Sequence, residues 1–332
     1  MALSIKALPA NHGDCFIFED STDGHVLLVD CGLKITFHNH ISKITSKADT
    51  LILTHIDEDH ILGAIPLIES SPEKFSTGIV YFNSPNLLKL KSSSGNISVK
   101  QARQVDSLLE DKDIKILGLE SGQELQLNQN IGIQVLSPRK SDLKKLDSSK
   151  FRVGSSTTRI SINRKLASAI ELSKNKDNYL SIPSDLVNAC SIAFILRYKN
   201  KSLLYLGDAH PEVICDQLEF LGYNSSNKLQ VDIVKLSHHG SFKNISDRLI
   251  SLISCDTFWI STNGGKGNSR HPDPSTLAKL TLNMERKACE EITFLFNYPV
   301  QQIESKNGCL MSQDDQRDHK VILKEKNEVV WL

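Results

Sequence analysis

Residues 54–60 contain four side chains that can bind a metal ion within six positions. They are His55, Asp57, Asp59 and His60. Alternation along an extended segment places the first three on one side, and His60 turns in where a helix begins. Imidazole and carboxylate ligands suit zinc, manganese or iron, and they leave room for a metal-bound water. An aspartate before a helix is commonly a cap, but two His and two Asp together favour a metal site.

The elements around this cluster follow from hydrophobic patterning. An apolar run over 49–54 predicts a strand that ends at the cluster, and 61–69 predicts the helix beyond it. Further strands are predicted at 4–8, 15–19, 26–30, 78–82, 114–117, 131–136, 191–198, 202–206, 231–236, 257–261, 292–296 and in the tail 321–332. Further helices are predicted at 99–111, 211–221, 246–253 and 274–283. The strand-rich start of each half predicts two β-sheets packed face to face with helices outside.

Two more polar clusters directly follow predicted strands, where functional sites are commonly built. The carboxylate of Asp208 comes after a glycine and could bridge two metal ions or cap the next helix. His238 and His239 follow an apolar strand and precede Gly240. A pair of histidines at a strand end favours chemistry over a buried polar role.

A glycine-rich stretch over 261–272 is the last polar cluster. Its backbone donors could approach a phosphate, although a surface turn is the ordinary interpretation of such a loop. His271 within it is a candidate general acid or substrate ligand.

Composition limits the class of protein. The 332 residues carry 39 basic and 39 acidic side chains, so nucleic-acid binding would need a local patch. Seven cysteines form no Cys-x-x-Cys pair, which indicates reduced thiols in a reducing compartment. The N-terminal residues are too polar for a signal peptide, and no apolar run approaches the ~18 residues that a membrane span needs. We therefore expect a cytoplasmic protein without a membrane partner.

The segment 139–188 differs from the rest in charge. Eleven Lys or Arg stand against four Asp or Glu between Arg139 and Asn178, in a context rich in Ser, Asn and Thr. The segment is predicted to be an insertion or cap on a single domain spanning 1–332. A solvated loop and a basic surface facing a polyanion both fit this composition.

The order of these motifs resembles the metallo-β-lactamase superfamily, whose signature is His-x-His-x-Asp-His after a strand. Here Asp57 replaces the middle His of that signature. That variant, with Gly207-Asp208 and Ser237-His238-His239-Gly240-Ser241, is most similar to the hydrolase domain of ComEC DNA-uptake proteins and its free-standing soluble relatives. Gly13-Asp14, Val29-Asp30-Cys31-Gly32 and His271-Pro272 match further motifs of that group. The resemblance covers roughly residues 3–300.

The resemblance implies an α/β fold with a four-layer αββα sandwich. The sequence departs from the family pattern in one respect. No His stands at the middle ligand position of the family, between Ile131 and Cys190. The segment from Asn188 to Ser191 lies near that position. The site is therefore expected to hold one or two divalent ions, zinc or manganese.

The hypothesis for the mechanism is hydrolysis by a metal-activated water, with Asp59 and His271 as catalytic residues. Two ions about 3.5–4 Å apart would be bridged by Asp208. One ion is assigned to His55, Asp57 and His238, and the other to Asp59, His60 and Asp208, with His239 as the alternative to His238. Carboxylate in place of imidazole shifts the preference toward manganese. Lys243, Lys266, Arg270 and the basic segment could hold a nucleic-acid backbone.

Three functions stay open at this point. The first is a metal-dependent phosphodiesterase or nuclease, which the basic segment favours. The second is a metallohydrolase of a small ester, lactone, amide or nucleotide. The third is a metal-binding partner subunit with little activity, which the absent middle His permits. The oligomeric state does not follow from the sequence.

Overall fold

Two large β-sheets form the centre of the protein. The structure, a computed structural model, describes residues 2–44, 47–70, 79–90, 97–148, 177, 179–267, 270–286 and 291–332. The strands in these residues are β1 (Leu3–Ala7), β2 (Phe16–Asp20), β3 (Val26–Val29), β4 (Thr50–Leu53), β5 (Ile79–Phe82), β6 (Lys115–Leu117), β7 (Glu124–Gln126), β8 (Ile131–Ser137), β9 (Ala193–Tyr198), β10 (Lys201–Tyr205), β11 (Leu229–Gln230), β12 (Ile233–Lys235), β13 (Ile253–Ser254), β14 (Thr257–Ile260), β15 (Ile292–Phe296), β16 (Val321–Glu325) and β17 (Glu328–Trp331).

The helices lie mainly between these strands. The α-helices in the described residues are α1 (Lys34–Asn39), α2 (Glu58–Ile61), α3 (Ala64–Ser70), α4 (Ile97–Asp111), α5 (Lys140–Ser148), α6 (Leu186–Ala189), α7 (Pro211–Phe220), α8 (Asp247–Leu252), α9 (Pro274–Asn283), α10 (Val300–Asn307) and α11 (Gln313–Asp318). Single 3₁₀ turns occur at Ile41–Lys43, Ile182–Ser184, Ser237–Gly240 and Phe242–Asn244. None of the described helices is long and apolar enough to cross a membrane.

Strand pairing gives two sheets of mixed direction. The first has the order β17-β1-β2-β3-β4-β5-β6, and the second has the order β16-β15-β14-β12-β10-β9-β8-β7. The first sheet thus draws its edge strand from the C-terminus, where β17 runs antiparallel to β1. A small third sheet pairs β11 with β13.

Three large apolar clusters show how the layers are stacked. The central cluster joins the facing sides of the two sheets, with Phe16 of the first sheet packed edge-on against Tyr205 and Trp259 of the second at centroid distances of 5.4 and 5.5 Å. A second cluster packs α3 and α4 on the outer side of the first sheet, and a third packs α7, α8 and α9 on the outer side of the second. The expected four-layer αββα sandwich is confirmed.

Residues of one strand serve two of these layers. In β3, Leu27 and Val29 point into the central cluster, whereas Val26 and Leu28 point toward the helices. All four are buried, because a strand covered on both faces needs apolar side chains on both. This is why several strands appear as continuous apolar runs in the sequence.

The polar clusters meet where the parallel strands end. Strands β3 and β4 are parallel neighbours in one sheet, and β10, β12 and β14 are parallel neighbours in the other. The carboxyl ends of parallel strands form the crevice in which open α/β sheets place their sites. The residues that follow these strands therefore come together at one edge of the sandwich.

Two expectations from the sequence need comment. The helix at the first cluster begins at Glu58, so Asp59 and His60 share its first turn and only the residues before it are extended. Of the predicted cap at 139–188, the residues 149–176 and 178 lie outside the described residues. The described part of that segment forms α5, the 3₁₀ turn at Ile182–Ser184 and α6.

Candidate metal centre

Asp30, at the end of β3, orients the first cluster. Its carboxylate accepts hydrogen bonds from the backbone N–H and the hydroxyl of Thr54, both at 2.8 Å. Its Oδ2 also lies 2.8 Å from Nδ1 of His60. Since an ionised carboxylate only accepts hydrogen bonds, Nδ1 of His60 donates a proton to Asp30, and Nε2 is the nitrogen that a metal ion would bind once it is unprotonated.

His55 and His239 are held in the same way. Nδ1 of His55 lies 3.0 Å from the hydroxyl of Thr54, which donates its own proton to Asp30. Nδ1 of His239 lies 2.9 Å from the carbonyl oxygen of Ser261, at the end of β14. Each imidazole thus uses Nδ1 for an anchoring bond and keeps Nε2 for another partner. Metal-binding histidines are typically held by such a bond on the second ring nitrogen.

The free atoms of these side chains converge on one place. Nε2 of His55, His60 and His239 and Oδ1 of Asp208 are buried and have no hydrogen-bond partner among the residues that the structure describes. Nε2 of His60 lies 3.5 Å from Oδ1 of Asp208, and the ring centroids of His55 and His60 are 4.2 Å apart. Buried polar atoms are normally paired, so four such atoms converging on one place fit a bound cation there.

Two sets of ligand atoms in the crevice are close enough to hold an ion. The atoms of His55, His60 and Asp208 lie within 4.8 Å of one another, and so do those of Asp59, His60 and His239. Oδ2 of Asp59 is 3.6 Å from Nε2 of His239. These sets fit a divalent metal, because they combine imidazole nitrogen with carboxylate oxygen.

Neither Asp57 nor Asp208 acts as a helix cap. Asp57 precedes α2 but its side chain makes no capping bond, and its Oδ2 lies 3.6 Å from Nε2 of His55. The residue that caps α7 is His210, whose side chain accepts a hydrogen bond from Glu212 N–H. The capping interpretation of both aspartates is therefore not supported by the geometry.

His238 and His239 face different surroundings, although both have left-handed backbones with φ of 46° and 56°. The side chain of His239 is 5% exposed and faces Asp59, whereas that of His238 is 31% exposed. Nδ1 of His238 lies 3.4 Å from the amide nitrogen of Asn188 and 3.9 Å from Oδ2 of Asp208. The geometry brings His239, rather than His238, into a ligand set.

The pKa values of the two histidines move in opposite directions. Burial lowers the pKa of His238 to about 4, despite the charge of Asp208. Burial also acts against a charge on His239, but Asp208 and Asp14 raise its pKa to about 9. Burial opposes ionisation of Asp208 too, yet the nearby His60 holds its pKa well below the ordinary value. Near neutral pH the metal-free centre therefore has an ionised Asp208 beside a protonated His239, and a metal ion that binds there would displace the proton of the imidazole.

Asp14 lies next to His239 and is itself held by Lys235. Its carboxylate forms a buried ion pair with Lys235 of β12, and its Oδ1 is 3.5 Å from Nδ1 of His239. Burial works to raise the pKa of Asp14, but Lys235 and His239 hold it at about 2. Asp14, Asp30 and His60 also offer ligand atoms within 4.8 Å of one another. Because Asp14 is ion-paired with the buried Lys235 and Asp30 accepts hydrogen bonds from Thr54, we regard both carboxylates as supports for the centre and not as ligands.

The other predicted site residues lie at the rim or beyond it. The ring of His271 is 5.3 Å from that of His238, and its Nδ1 is 3.2 Å from Oδ2 of Asp273. Lys266 is exposed, Lys243 is half-buried, and the exposed Arg270 donates to the carbonyl of Lys306 at 2.8 Å. Arg270 is thus engaged at the end of α10, and Lys266 is the predicted cation whose charge acts on His12 beside the centre.

Two residues beside the centre did not stand out in the sequence. His12 lies close enough to Asp59 and Lys266 for their charges to act on it, and burial lowers its pKa. Burial raises the pKa of Asp185 to about 7, although its carboxylate accepts a hydrogen bond of 2.9 Å from Asn188. The sequence offers only a weak signal for His12, which is its position directly before the Gly13-Asp14 motif.

Solved structures with the same architecture align over the whole chain. Unliganded yeast PDE1 matches with a TM-score of 0.50 at 10% identity, covering 100% of this chain and 99% of PDE1. The metallo-beta-lactamase fold protein YhfI from Bacillus subtilis matches with a TM-score of 0.45 at 11% identity, covering 100% and 99%. This chain has the metallo-β-lactamase fold.

A further structure of this fold is Zn²⁺-bound PqqB from Methylobacterium extorquens, with a TM-score of 0.45 at 9% identity and 100% coverage of both chains. No family model and no curated protein matches the sequence. The metallo-β-lactamase part of the resemblance is confirmed at the level of the fold. Its ComEC-like part stays a prediction.

Proposed function

We propose that this chain is a metal-dependent hydrolase that acts on phosphodiesters, with nucleic acid as the first substrate to test. The observation that carries the proposal is the convergence of four buried, unpaired ligand atoms on His55, His60, His239 and Asp208. Three of them belong to imidazoles whose other nitrogen is already anchored. Such a set is expensive to bury without a ligand and is satisfied by a divalent ion.

The residues divide into two neighbouring positions. We assign one to His55, Asp57 and Asp208 and the other to Asp59, His60 and His239, with His60 close to both. Asp208 lies between them, since its two oxygens face His60 and both His238 and His239. When bound, divalent ions in such a centre supply a water nucleophile at neutral pH and offset negative charge on the reacting group.

Side chains at the rim are placed to handle the substrate. His271, with Nδ1 held toward Asp273, adjoins His238 and is the candidate proton donor to a leaving group. Lys266 and His12 lie together on the side of Asp59, where an anionic group could be bound. Positive and donor groups that flank a metal centre favour an anionic substrate over a neutral one.

The basic composition of 139–178 adds further support, since eleven cations against four anions suit a polyanion. Yeast PDE1 shares the fold, and its name is compatible with this proposal, but the support comes from the residues of this chain. Manganese and zinc are both proposed as the ion, because the centre mixes carboxylates with imidazoles.

The test compares substrates, metals and variants. Purified protein is incubated with plasmid, single-stranded DNA, bis(p-nitrophenyl) phosphate and p-nitrophenyl acetate, each with Mn²⁺, with Zn²⁺ or with a chelator. His60→Ala and Asp59→Ala should lower phosphodiester cleavage about 100-fold or more, because several kcal/mol of metal contribution is lost. His38→Ala, which removes an exposed imidazole from α1, is the matched control and should retain the activity of the wild type.

The outcomes separate the three functions. Metal-dependent cleavage of DNA supports the proposal. Turnover of the acetate ester without phosphodiester cleavage would instead establish a small-ester hydrolase. Metal binding with no turnover of any substrate would favour the partner-subunit function.

A further inference from the structure

His238 adjoins the metal centre without belonging to a set of ligand atoms in the described residues. Its Nδ1 is 3.9 Å from Oδ2 of Asp208, which is beyond hydrogen-bond distance. Its side chain is 31% exposed, whereas those of His55 and His239 are 1% and 5% exposed. A substrate can therefore reach His238 more easily than it can reach the imidazoles of the ligand sets.

The backbone of His238 is held in its left-handed conformation by two hydrogen bonds. Its N–H donates to the carbonyl of Gly207 at 3.0 Å, and its carbonyl accepts the N–H of Ser241 at 2.9 Å. The first of these bonds ties His238 to the turn directly before Asp208. Because the backbone is fixed in this way, the role of the ring depends on what its two nitrogens contact.

Asn188 in α6 determines which nitrogen of His238 carries the proton. Nδ2 of Asn188 lies 2.9 Å from Oδ1 of Asp185 and 3.4 Å from Nδ1 of His238. Since a carboxylate needs a donor, the NH₂ group of the amide, and not its oxygen, belongs on this side. That group has two protons, so it can donate to Nδ1 of His238 as well. Nδ1 is then an acceptor, and the proton of the ring is on Nε2.

The side-chain oxygen of Asn188 supports this orientation of the amide. It is buried and has no hydrogen-bond partner in the described part of the chain. Exchanging the nitrogen and the oxygen would set that oxygen against the carboxylate of Asp185, where two acceptors would face each other. The amide therefore leaves one acceptor unpaired and keeps its donors for Asp185 and His238.

Nε2 of His238 is open to the crevice. It has no hydrogen-bond partner among the described residues, yet it is not among the enclosed unpaired atoms, which include Nε2 of His55, His60 and His239. The ring of His271, the candidate proton donor, is 5.3 Å away. A hydrogen-bond donor is thus available between the metal centre and His271.

We propose that His238 binds the substrate and not a metal ion, with its Nε2–H donating to a non-bridging oxygen of the phosphodiester. Asn188 is the positioning residue that keeps the proton on Nε2. The proposal rests on the proposed metal-dependent function. Phosphoryl transfer spreads negative charge over the non-bridging oxygens, and a donor that is already oriented toward one of them stabilises the transition state.

The tautomer of His238 is measured first, by long-range ¹H–¹⁵N correlation spectra of protein labelled with ¹⁵N-histidine, both metal-free and loaded with Zn²⁺. His238→Asn assigns the signal, because asparagine tolerates the left-handed backbone and has no group at Nε2. We expect a proton on Nε2 alone in the wild type and a mixture of both tautomers in Asn188→Ala, with the other histidine signals unchanged. A proton on Nδ1 in the wild type, or a His238 nitrogen bound to Zn²⁺, would overturn the proposal.

Hydrolysis of bis(p-nitrophenyl) phosphate then tests the contact with the substrate. His238→Asn should bind as many metal ions as the wild type and lower kcat/KM about 100-fold, as expected when one oriented donor is removed. His38→Asn, which removes an exposed imidazole from α1, is the matched control and should retain wild-type activity.

Two results would contradict the role of His238, namely wild-type activity in His238→Asn or the loss of a metal ion from that variant. Failure of the proposed function has a different signature. The wild type would then cleave no phosphodiester with Mn²⁺ or with Zn²⁺, although the spectra would still report the tautomer of His238.

Discussion

Replacing Asp30 by asparagine should disable the metal centre without disturbing the fold. Asp30 has a left-handed backbone with φ of 57°, a conformation that asparagine also adopts readily. The carboxylate accepts from the backbone and hydroxyl of Thr54 and faces Nδ1 of His60, each at 2.8 Å. In the Asp30→Asn variant, the oxygen of the new amide can keep the bond from the backbone N–H of Thr54.

The consequence falls on His60. In Asp30→Asn, the amide nitrogen takes the place of Oδ2. This nitrogen is a hydrogen-bond donor, so it cannot accept the protons that Thr54 and His60 direct toward that position. The imidazole then relaxes by moving its proton to Nε2, which removes the lone pair from the metal. Loss of such a supporting bond typically costs 10–100-fold in metal affinity, or about 1.4 to 3 kcal/mol.

Isothermal titration of metal-free protein with Zn²⁺ and Mn²⁺ measures this effect. Asp106→Asn is the matched control, since Asp106 is also buried and accepts a backbone N–H, that of Asn86, at 2.9 Å. The control should bind metal like the wild type. Unchanged metal affinity in Asp30→Asn would show that Asp30 does not set the tautomer of His60, and the assignment of Nε2 as a metal ligand would lose its basis.

Three further predictions concern the surroundings of the centre. Gly13→Ala should lower the free energy of unfolding in urea by about 1–3 kcal/mol, because the new Cβ would lie 1.8 Å from the carbonyl oxygen of Asp59. Gly132→Ala is the control and should leave it unchanged, since its Cβ would lie 3.4 Å from the nearest atom. Folding raises the pKa of His239 from 6.5 to about 9, so protonation of His239 should stabilise the metal-free protein fully below pH 6.5, and this stabilisation should be lost as the pH rises through 9. A free energy of unfolding that does not change over this pH range would contradict the prediction. His12→Ala should raise KM for a phosphodiester about tenfold with metal content unchanged, and an unchanged KM would exclude substrate binding there.

The layers and the strand ends could be predicted from the sequence. Apolar runs predict β3, β4, β10 and β12, because strands that are buried on both faces need apolar side chains on both. The pairing of β17 with β1 could not be predicted, since it joins the two ends of the chain and depends on the completed sheet. Local sequence patterns do not specify a contact between residues that lie so far apart in the chain.

Within the centre, the sequence indicates the residues but not their orientation. His238 and His239 are adjacent and both have positive φ, so the backbone does not distinguish them. Their surroundings differ because His239 contacts the Ser261 carbonyl oxygen and His238 contacts Asn188, two residues that are distant in the sequence.

Hydrolysis of a phosphodiester as a function of bound metal decides whether this centre is catalytic. Metal-free protein is titrated with Mn²⁺ while the bound ions per chain and the rate of bis(p-nitrophenyl) phosphate hydrolysis are measured on the same samples. We expect no hydrolysis without metal and a rate that rises with occupancy until the centre is filled. A rate that is independent of bound metal, or a fully occupied centre that leaves the phosphodiester intact, would refute the proposed function.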